Sequence, residues 1–339
     1  MQTRKVLEMG GGTMLISLPK AWARRNNIVR GASVLVEETS PRRLMVSPIS
    51  GEEEDFRTVL IEYPKENPSY LSNDVTGAYL IGSDVIKIQG KQMITREDRE
   101  RMKTTIRRLV GLEIMDEDSK SMTLQFLPEP STLDPEKIVR RMGSLTQGML
   151  RDTGEALSKG EEKMLTLIAE RDDEVDRLYF LLVRAIRTAT MDPEVAERYN
   201  LAPVECLDYR VLASFLESLG DTISEFTKMT PDLLVLAKME ETREAFELLE
   251  RMEEVSIRMF LDRNSGQSRK AHLEVESMQQ RVNELSRRIA QPKSVSTRTV
   301  VDLLSMLERV AKIFVDISDL AQPTYRFKND VGPGQKAKV

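Results

Sequence analysis

The chain has 339 residues, a net charge of −5 and 31% charged residues, and it contains one cysteine and one histidine. Cys206 alone cannot form an internal disulfide or a cysteine-cluster zinc site, and His272 alone excludes histidine-rich metal sites and most histidine-based acid/base catalysis. A bound metal would therefore need oxygen ligands. No apolar run approaches the roughly 18 residues of a membrane span and no signal segment opens the chain, so we expect a cytoplasmic protein without membrane insertion.

Residues 1–50, called the head below, hold eight basic and three acidic residues although the whole chain is acidic. They contain short β-prone runs at Lys5–Leu7, Met14–Leu18, Ser33–Glu37 and Leu44–Val46. The triplet Gly10–Gly12 lacks the Lys-Ser/Thr ending of a phosphate loop and predicts a hairpin turn, and a short helix should follow Pro19. Four small strands bury too little surface to be stable alone, so we expect a homodimer. The positive charge predicts an anionic partner, with nucleic acid first.

The head resembles the SpoVT/AbrB type of swapped-hairpin DNA-binding domain, in particular its archaeal versions, through TRKV, the glycine turn and SLPKAWA. One departure is that Ala32, and not an acidic residue, follows Gly31. The resemblance implies that two chains interleave into one barrel and that basic side chains face DNA, namely Arg4, Lys5, Lys20, Arg24 and Arg25. Such phosphate contacts give salt-dependent affinity with little sequence choice. The alternative is a head that serves dimerisation alone.

Residues 56–128 follow the charged linker Gly51–Asp55 and predict a small α/β domain. The pattern indicates a helix at Thr95–Val110 and strands at Arg57–Ile61, Val85–Ile88, Glu113–Met115 and Ser121–Phe126. This domain shows no catalytic constellation. We expect it to connect the other domains or to bind a partner.

From Pro128 to Ala321 the pattern is helical, with proline-containing helix starts at Asp134-Pro135 and Thr230-Pro231. We predict six long helices in two sets of three, at 135–159, 161–190, 204–229, 231–262, 268–291 and 295–321. The sets align as repeats, so the sequence predicts two three-helix bundles at 134–230 and 231–322, followed by a flexible tail at 323–339. The predicted fold class is therefore a multidomain α+β protein with an all-α, duplicated C-terminal part.

Acidic pairs mark the first set of helices. Leu212, Leu216, Leu219, Ile223 and Phe226 form an apolar stripe, and Glu217 and Asp221 lie one turn apart on the same helix. On the preceding helix, a seam that runs from Leu165 to Ile186 is broken by Asp172, and Asp176 lies one turn further. Because unpaired buried carboxylates are strongly disfavoured, a cation is the simplest partner for the four. The alternative is two ordinary solvated helix faces.

The second set lacks this chemistry. The aligned positions are Gln279, Asn283, Glu308 and Lys312, so three carboxylates are lost and an ammonium is gained. We expect no divalent cation there. A salt bridge between Lys312 and Glu308 is expected instead.

Two three-helix repeats with D-x-x-x-D and E-x-x-x-D, and above all the segment LESLGD, resemble the PhoU family of phosphate-signalling proteins. The resemblance implies a metal site at Asp172, Asp176, Glu217 and Asp221, with Asp173 as an additional ligand, for iron, zinc, magnesium or manganese. It also implies a cytoplasmic role in restraining phosphate uptake and phosphate-response signalling, with a phosphate transporter ATPase or a histidine kinase as partner. The combination with an AbrB-like head looks like the archaeal phosphate uptake regulators.

Three functions remain open from the sequence. The first is a regulator of phosphate uptake with a DNA-binding head and a metal-binding helical sensor. The second is a scaffold that binds a transporter or a kinase without binding DNA. The third is a metal-assisted phosphoesterase, against which stand the absence of a nucleophile, of histidine and of a phosphate-gripping arginine or glycine loop near the carboxylates. We therefore expect a protein that is not an enzyme.

Overall fold

The computed structural model describes residues 3–40, 43–48, 57–128, 133–227, 231–262, 265–290 and 295–321. The chain is a mixed α+β protein, mostly helical, with small sheets. It divides into two compact units, one within residues 1–55 and one spanning residues 56–323. Within the described residues, no helix combines the length and apolar character that a membrane span requires.

The described residues of the head form two separate two-stranded sheets and a short helix. Strands β1 (Val6–Met9) and β2 (Thr13–Ile16) pair antiparallel, helix α1 (Lys20–Arg25) follows, and β3 (Val34–Ser40) pairs antiparallel with β4 (Arg43–Pro48). The predicted turn at Gly10–Gly12 is confirmed, since it joins β1 to β2 with positive φ angles of 99° at Gly11 and 83° at Gly12. Glycine adopts such angles without steric cost.

None of the head side chains that the structure describes is buried. Strands β1 and β2 expose large apolar residues to solvent, including Val6 at 61%, Leu7 at 64% and Ile16 at 59%. Apolar burial is the main favourable term in folding. The described part of one head therefore contains no hydrophobic core of its own.

Residues 57–128, called the α/β unit below, form a four-stranded sheet with order β5-β6-β8-β7. Its elements are β5 (Thr58–Tyr63), α2 (Pro68–Leu80), β6 (Val85–Gly90), α3 (Arg96–Arg107), β7 (Leu112–Glu117) and β8 (Ser121–Phe126). Strands β5 and β6 are parallel and joined through α2, whereas β6–β8 and β7–β8 are antiparallel. Alternate residues of β5, β6 and β8, such as Ile61, Ile88 and Leu124, are buried, so one face of the sheet packs in the core.

Helix α2 is absent from the sequence prediction. Its buried residues are Leu71, Val75, Ala78 and Tyr79, and the residues between them are mostly serine, asparagine, aspartate, threonine and glycine, which are poor helix formers. The sequence did contain one signal for this helix, the N-cap residue Asn67. In the structure its side chain accepts a hydrogen bond from the Ser69 N–H at 3.0 Å.

Residues 133–321, called the helical body below, contain nine described helices: α4 (Pro135–Lys159), α5 (Glu162–Glu170), α6 (Asp172–Met191), α7 (Pro193–Arg198), α8 (Pro203–Thr227), α9 (Pro231–Ala237), α10 (Glu240–Asp262), α11 (Ser265–Ile289) and α12 (Thr297–Leu320). Helices α4, α6 and α8 pack against one another, as do α10, α11 and α12. The two sets meet through α4 against α10 and through α8 against α12.

Two predicted helices are interrupted. The helix predicted at 161–190 divides at Arg171 into α5 and α6, and the Arg171 guanidinium lies 2.5 Å from Asp152 on α4. The helix predicted at 231–262 divides into α9 and α10, where the Thr242 hydroxyl donates to the carbonyl oxygen of Leu236 at 2.7 Å. In both places a side chain at the break or in the first turn after it makes a contact outside the helical pattern, which an apolar periodicity does not reveal.

Arg184 of α6 joins the helical body to the α/β unit. Its side chain is buried, and Nη1 donates to the carbonyl oxygens of Tyr79 at 2.6 Å and Ser83 at 3.0 Å, at the end of α2. The guanidinium carbon lies 3.8 Å from the ring centroid of Phe126 and 5.0 Å from that of Tyr79. Burial lowers the pKa of Arg184 to about 10, so the group keeps its charge at neutral pH.

Candidate metal centre

Helices α6 and α8 pack side by side because each presents an apolar seam. The predicted stripe on α8 is confirmed, since Leu212, Leu216, Leu219, Ile223 and Phe226 are all buried. Facing it, α6 buries Val175 and Leu182. This packing leaves the acidic residues of both helices at the edge of the same interface.

Three of the predicted ligands come together at this edge. Asp176, Glu217 and Asp221 each offer one carboxylate oxygen, and these oxygens lie within 4.8 Å of one another. Asp176 and Glu217 are half-buried and Asp221 is exposed. Burial raises the pKa of Glu217, and the neighbouring charges of Asp221 and Asp176 raise it further. We call these three residues the acidic cluster.

Asp172 lies beside the acidic cluster but outside the group of close oxygens. Its Oδ1 is buried without a hydrogen-bond partner. Burial raises the pKa of Asp172 to about 7, the charges of Asp221 and Asp176 add to this shift, and a hydrogen bond with Ser224 opposes it. The remaining predicted ligand, Asp173, is exposed and also stands outside the group.

Gly220 provides the space for Asp172. A Cβ atom at Gly220 would lie 2.7 Å from Asp172 Oδ1 and 3.3 Å from Cγ1 of Val175. A glycine in the middle of a helix costs stability relative to alanine. Here it allows the carboxylate of α6 to approach the backbone of α8, and the sequence already contained this signal as the glycine of LESLGD.

Arg108, which follows α3 in the α/β unit, was not among the predicted site residues. Its Nη2 lies 2.6 Å from Oδ2 of Asp176, and its guanidinium carbon lies 5.7 Å from the ring centroid of Phe180, one turn further along α6. No sequence signal links residues so far apart in the chain. The arginine partly neutralises the acidic cluster.

The acidic cluster fits a hard metal ion by its donor set. Carboxylate oxygens are the ligands that magnesium, manganese and iron accept, and the orphaned Oδ1 of Asp172 is a buried acceptor beside the cluster. A bound ion would supply the positive charge that gathered carboxylates lack. Among the described residues, this is the one group of three or more potential ligands with such spacing.

Comparison with known proteins identifies the helices that carry the acidic cluster. Residues 139–230 match the PhoU domain. A solved structure, the phosphate transport system regulatory protein PhoU from Streptococcus pneumoniae, is similar over 55% of this chain and 91% of that chain, with 16% identity and a TM-score of 0.42. No curated protein matches the sequence. The PhoU-domain match begins within α4 and includes all of α6 and α8.

The second set of helices lies beyond the PhoU-domain match and has different contacts. The expected salt bridge between Lys312 and Glu308 is wrong, because Lys312 pairs with Asp316 at 2.6 Å. Both candidate partners lie one turn from Lys312, so the spacing alone could not distinguish them. The single histidine, His272, lies 2.9 Å from the Ser318 hydroxyl in this set.

The predicted DNA-binding residues are exposed in the head. Arg4 and Lys5 precede β1, Lys20 begins α1, and Arg24 and Arg25 form its last turn. Cations in the last turn of a helix interact favourably with its dipole, which is a purely structural role that these two arginines also serve.

Proposed function

We propose that this protein is a non-enzymatic regulator of phosphate uptake, with a helical body that binds a metal ion and a head that binds DNA. The observation that carries the proposal is the PhoU-domain match at residues 139–230, because it covers the helices that hold the acidic cluster. The protein named PhoU that is similar in structure is itself described as a regulator of a phosphate transport system.

For the metal, we propose Asp176, Glu217 and Asp221 as the principal ligands. Asp172 would join them, because its oxygen is buried beside them without a partner. Asp173 is a further candidate ligand, and its exposed side chain would have to rotate from solvent toward the acidic cluster. Iron, zinc, magnesium and manganese all accept such oxygen ligands.

For the head, we propose a homodimer that contacts DNA through Arg4, Lys5, Lys20, Arg24 and Arg25. The described hairpins expose apolar side chains on short strands, and a second copy would cover them. The five basic residues are exposed, as phosphate contacts require.

A DNA titration tests this proposal. The full chain is titrated with promoter fragments of phosphate-transport genes and with random fragments, at two salt concentrations, with and without a chelator. We expect preferential binding that weakens with salt and responds to chelator. Reversing the charges at Lys20, Arg24 and Arg25 should abolish the binding and its salt dependence. The absence of binding to any fragment would refute the DNA-binding part.

A scaffold without DNA binding is the second candidate. Helix α8 exposes Val204 at 49%, Leu207 at 66% and Val211 at 40%, spaced by three and four residues along one face. Such an apolar stripe suits a partner helix of a transporter ATPase or a kinase. This candidate predicts that the charge reversals in the head leave partner binding unchanged.

Catalysis is the least supported function. His272 contacts Ser318 and Glu276 in the second set of helices, and the arginine beside the acidic cluster is already paired with Asp176. Phosphate-ester hydrolysis above a metal-free control, abolished by Asp221→Ala, would overturn the non-enzymatic assignment.

A further inference from the structure

We propose that the Arg108 side chain acts as an internal cation. It forms an ion pair with Asp176 when the acidic cluster holds no metal ion, and metal binding releases the Arg108 side chain. This inference rests on the metal binding proposed above. It assigns to the α/β unit the role of sensing whether the cluster is occupied.

The contact geometry places Arg108 on one of the carboxylates that a metal ion would use. The Arg108 Nη2 atom lies 2.6 Å from Oδ2 of Asp176, and Asp176 is also one of the three carboxylates whose oxygens lie within 4.8 Å of one another. A metal ion on these oxygens would face the guanidinium at short range, and two cations repel. The Arg108 side chain is 54% exposed, so it can leave for solvent at little cost.

The α/β unit holds α6 at a second place that a metal ion would not disturb. Arg184 is buried and donates to the carbonyl oxygens of Tyr79 and Ser83, and its nearest carboxylate is Asp84, which lies 3.6 Å away in the α/β unit. The two arginine contacts therefore differ in kind. The contact at Arg184 involves no residue of the acidic cluster, whereas the contact at Arg108 depends on a carboxylate that a metal ion needs.

Release of Arg108 would change a surface cavity between α2, α3 and α6. This cavity has a volume of about 460 Å³, and its lining includes Ser72, Thr76, Arg101, Thr105, Arg108 and Phe180. Arg108 thus faces the acidic cluster on one side and the cavity on the other. A molecule that binds in the cavity through Arg108 is therefore coupled to the metal ion. The factor by which it changes the affinity for the metal equals the factor by which the metal changes the affinity for that molecule.

Metal titrations of three variants test the competition. Mn²⁺ binding to the full chain is measured by calorimetry for the wild type, Arg108→Gln, Arg108→Lys and Arg101→Gln. Arg101→Gln is the matched control, because it removes the same charge from a residue of α3. Arg101 pairs with Asp98 at 2.8 Å and not with the acidic cluster. We expect Arg108→Gln to bind Mn²⁺ about two- to fivefold more tightly, the factor that an exposed ion pair is worth, and the other two variants to resemble the wild type.

Hydrogen exchange provides a second readout. On addition of Mn²⁺ to the wild type, amide exchange should increase at residues 104–112 and stay unchanged at residues 79–84, next to Arg184. An unchanged affinity in Arg108→Gln would overturn the competition, and a weaker affinity would make Arg108 a positioning residue for Asp176. Failure of both the wild type and Arg108→Gln to bind Mn²⁺, Mg²⁺, Zn²⁺ or Fe³⁺ would instead refute the proposed metal binding itself.

Discussion

Glu253 of α10 is a fully buried carboxyl group in the interface between α10 and α4. Its Oε1 lies 2.6 Å from the Thr146 hydroxyl, and its Oε2 has no hydrogen-bond partner. Burial raises the pKa of Glu253 to about 8, the Thr146 hydrogen bond opposes this shift, and the charge of Glu250 adds to it. The group is therefore mostly protonated at neutral pH, and its neutral form suits the apolar surroundings.

The protonation of Glu253 should make stability fall as pH rises. Between the ordinary pKa of 4.5 and the folded pKa of about 8, the folded chain holds a proton that the unfolded chain has lost. In this window the free energy of unfolding decreases with pH by up to about 1.4 kcal/mol per pH unit. Glu253→Gln keeps a neutral group of the same shape and removes this contribution.

Urea unfolding at pH 5.5 and pH 8 measures the effect. We expect Glu253→Gln to gain stability relative to the wild type as pH rises, whereas Glu254→Gln, at the next, exposed position, should not. Equal pH dependence in the wild type and Glu253→Gln would mean that Glu253 is ionised in the folded chain.

Gly220→Ala should disturb Asp172 and lower stability. The added Cβ would lie 2.7 Å from Asp172 Oδ1, and such overpacking costs about 1–3 kcal/mol, against a gain of about 1 kcal/mol in helix propensity. Gly148→Ala on α4 is the matched control, because its nearest atom would be Arg171 Nη1 at 3.8 Å. In urea unfolding, Gly148→Ala should be the more stable variant. Equal stability of the two would mean that Asp172 can move away freely.

The sequence identified the residues of the site that share a helix but not those that approach it from elsewhere. Asp176, Glu217 and Asp221 were found because each lies on a helix whose apolar residues recur at spacings of three and four in the sequence. Arg108 reaches Asp176 from the α/β unit, 68 residues earlier in the chain. Such a contact depends on tertiary packing, which local periodicity does not encode.

Among the elements, α6 packs against α4, α5, α7 and α8 of the helical body and against α2 of the α/β unit. Its first turns carry Asp172 and Asp176, and its middle inserts Arg184 into the α/β unit. The amphipathic pattern predicted this helix, although not its beginning at the Arg171 turn. Helix α2 was missed because its buried side chains are separated by polar residues of low helix propensity.

Arg184→Lys should loosen the attachment of the α/β unit to α6. A single nitrogen, Nη1, donates to both the Tyr79 and Ser83 carbonyl oxygens, but a lysine has no planar group to lie over the Phe126 ring and no second nitrogen to face Asp84. We expect a loss of about 2–4 kcal/mol in the free energy of unfolding, measured in urea. Arg187→Lys, at the next turn and exposed, is the control and should change little. A small effect at Arg184 would show that the apolar contacts alone hold the two parts together.

The whole molecule combines a head without a described core with a second unit whose core runs from Ile61 to Ala321. If two copies complete the head, its unfolding depends on protein concentration and that of the second unit does not. Calorimetric scans over a hundredfold dilution should therefore show one unfolding transition whose temperature falls on dilution and one whose temperature is unchanged.

Leu7→Glu should lower the temperature of the concentration-dependent unfolding transition of the full chain, because it places a charge on an apolar strand of the proposed dimer. Leu60→Glu, on β5, is a control of similar exposure, 58% against 64% for Leu7, and should leave that transition in place. Light scattering gives the mass of each variant. A wild type that scatters as a monomer at every concentration would refute the dimer.

The exposed apolar strands of the head have a consequence for the cell. Where pairing of two copies is needed, the amount of paired head rises with the square of the free chain concentration until most chains are paired. The number of copies per cell would then act as a signal in its own right. A modest change in expression would produce a larger change in paired head, before any ligand has reached the helices.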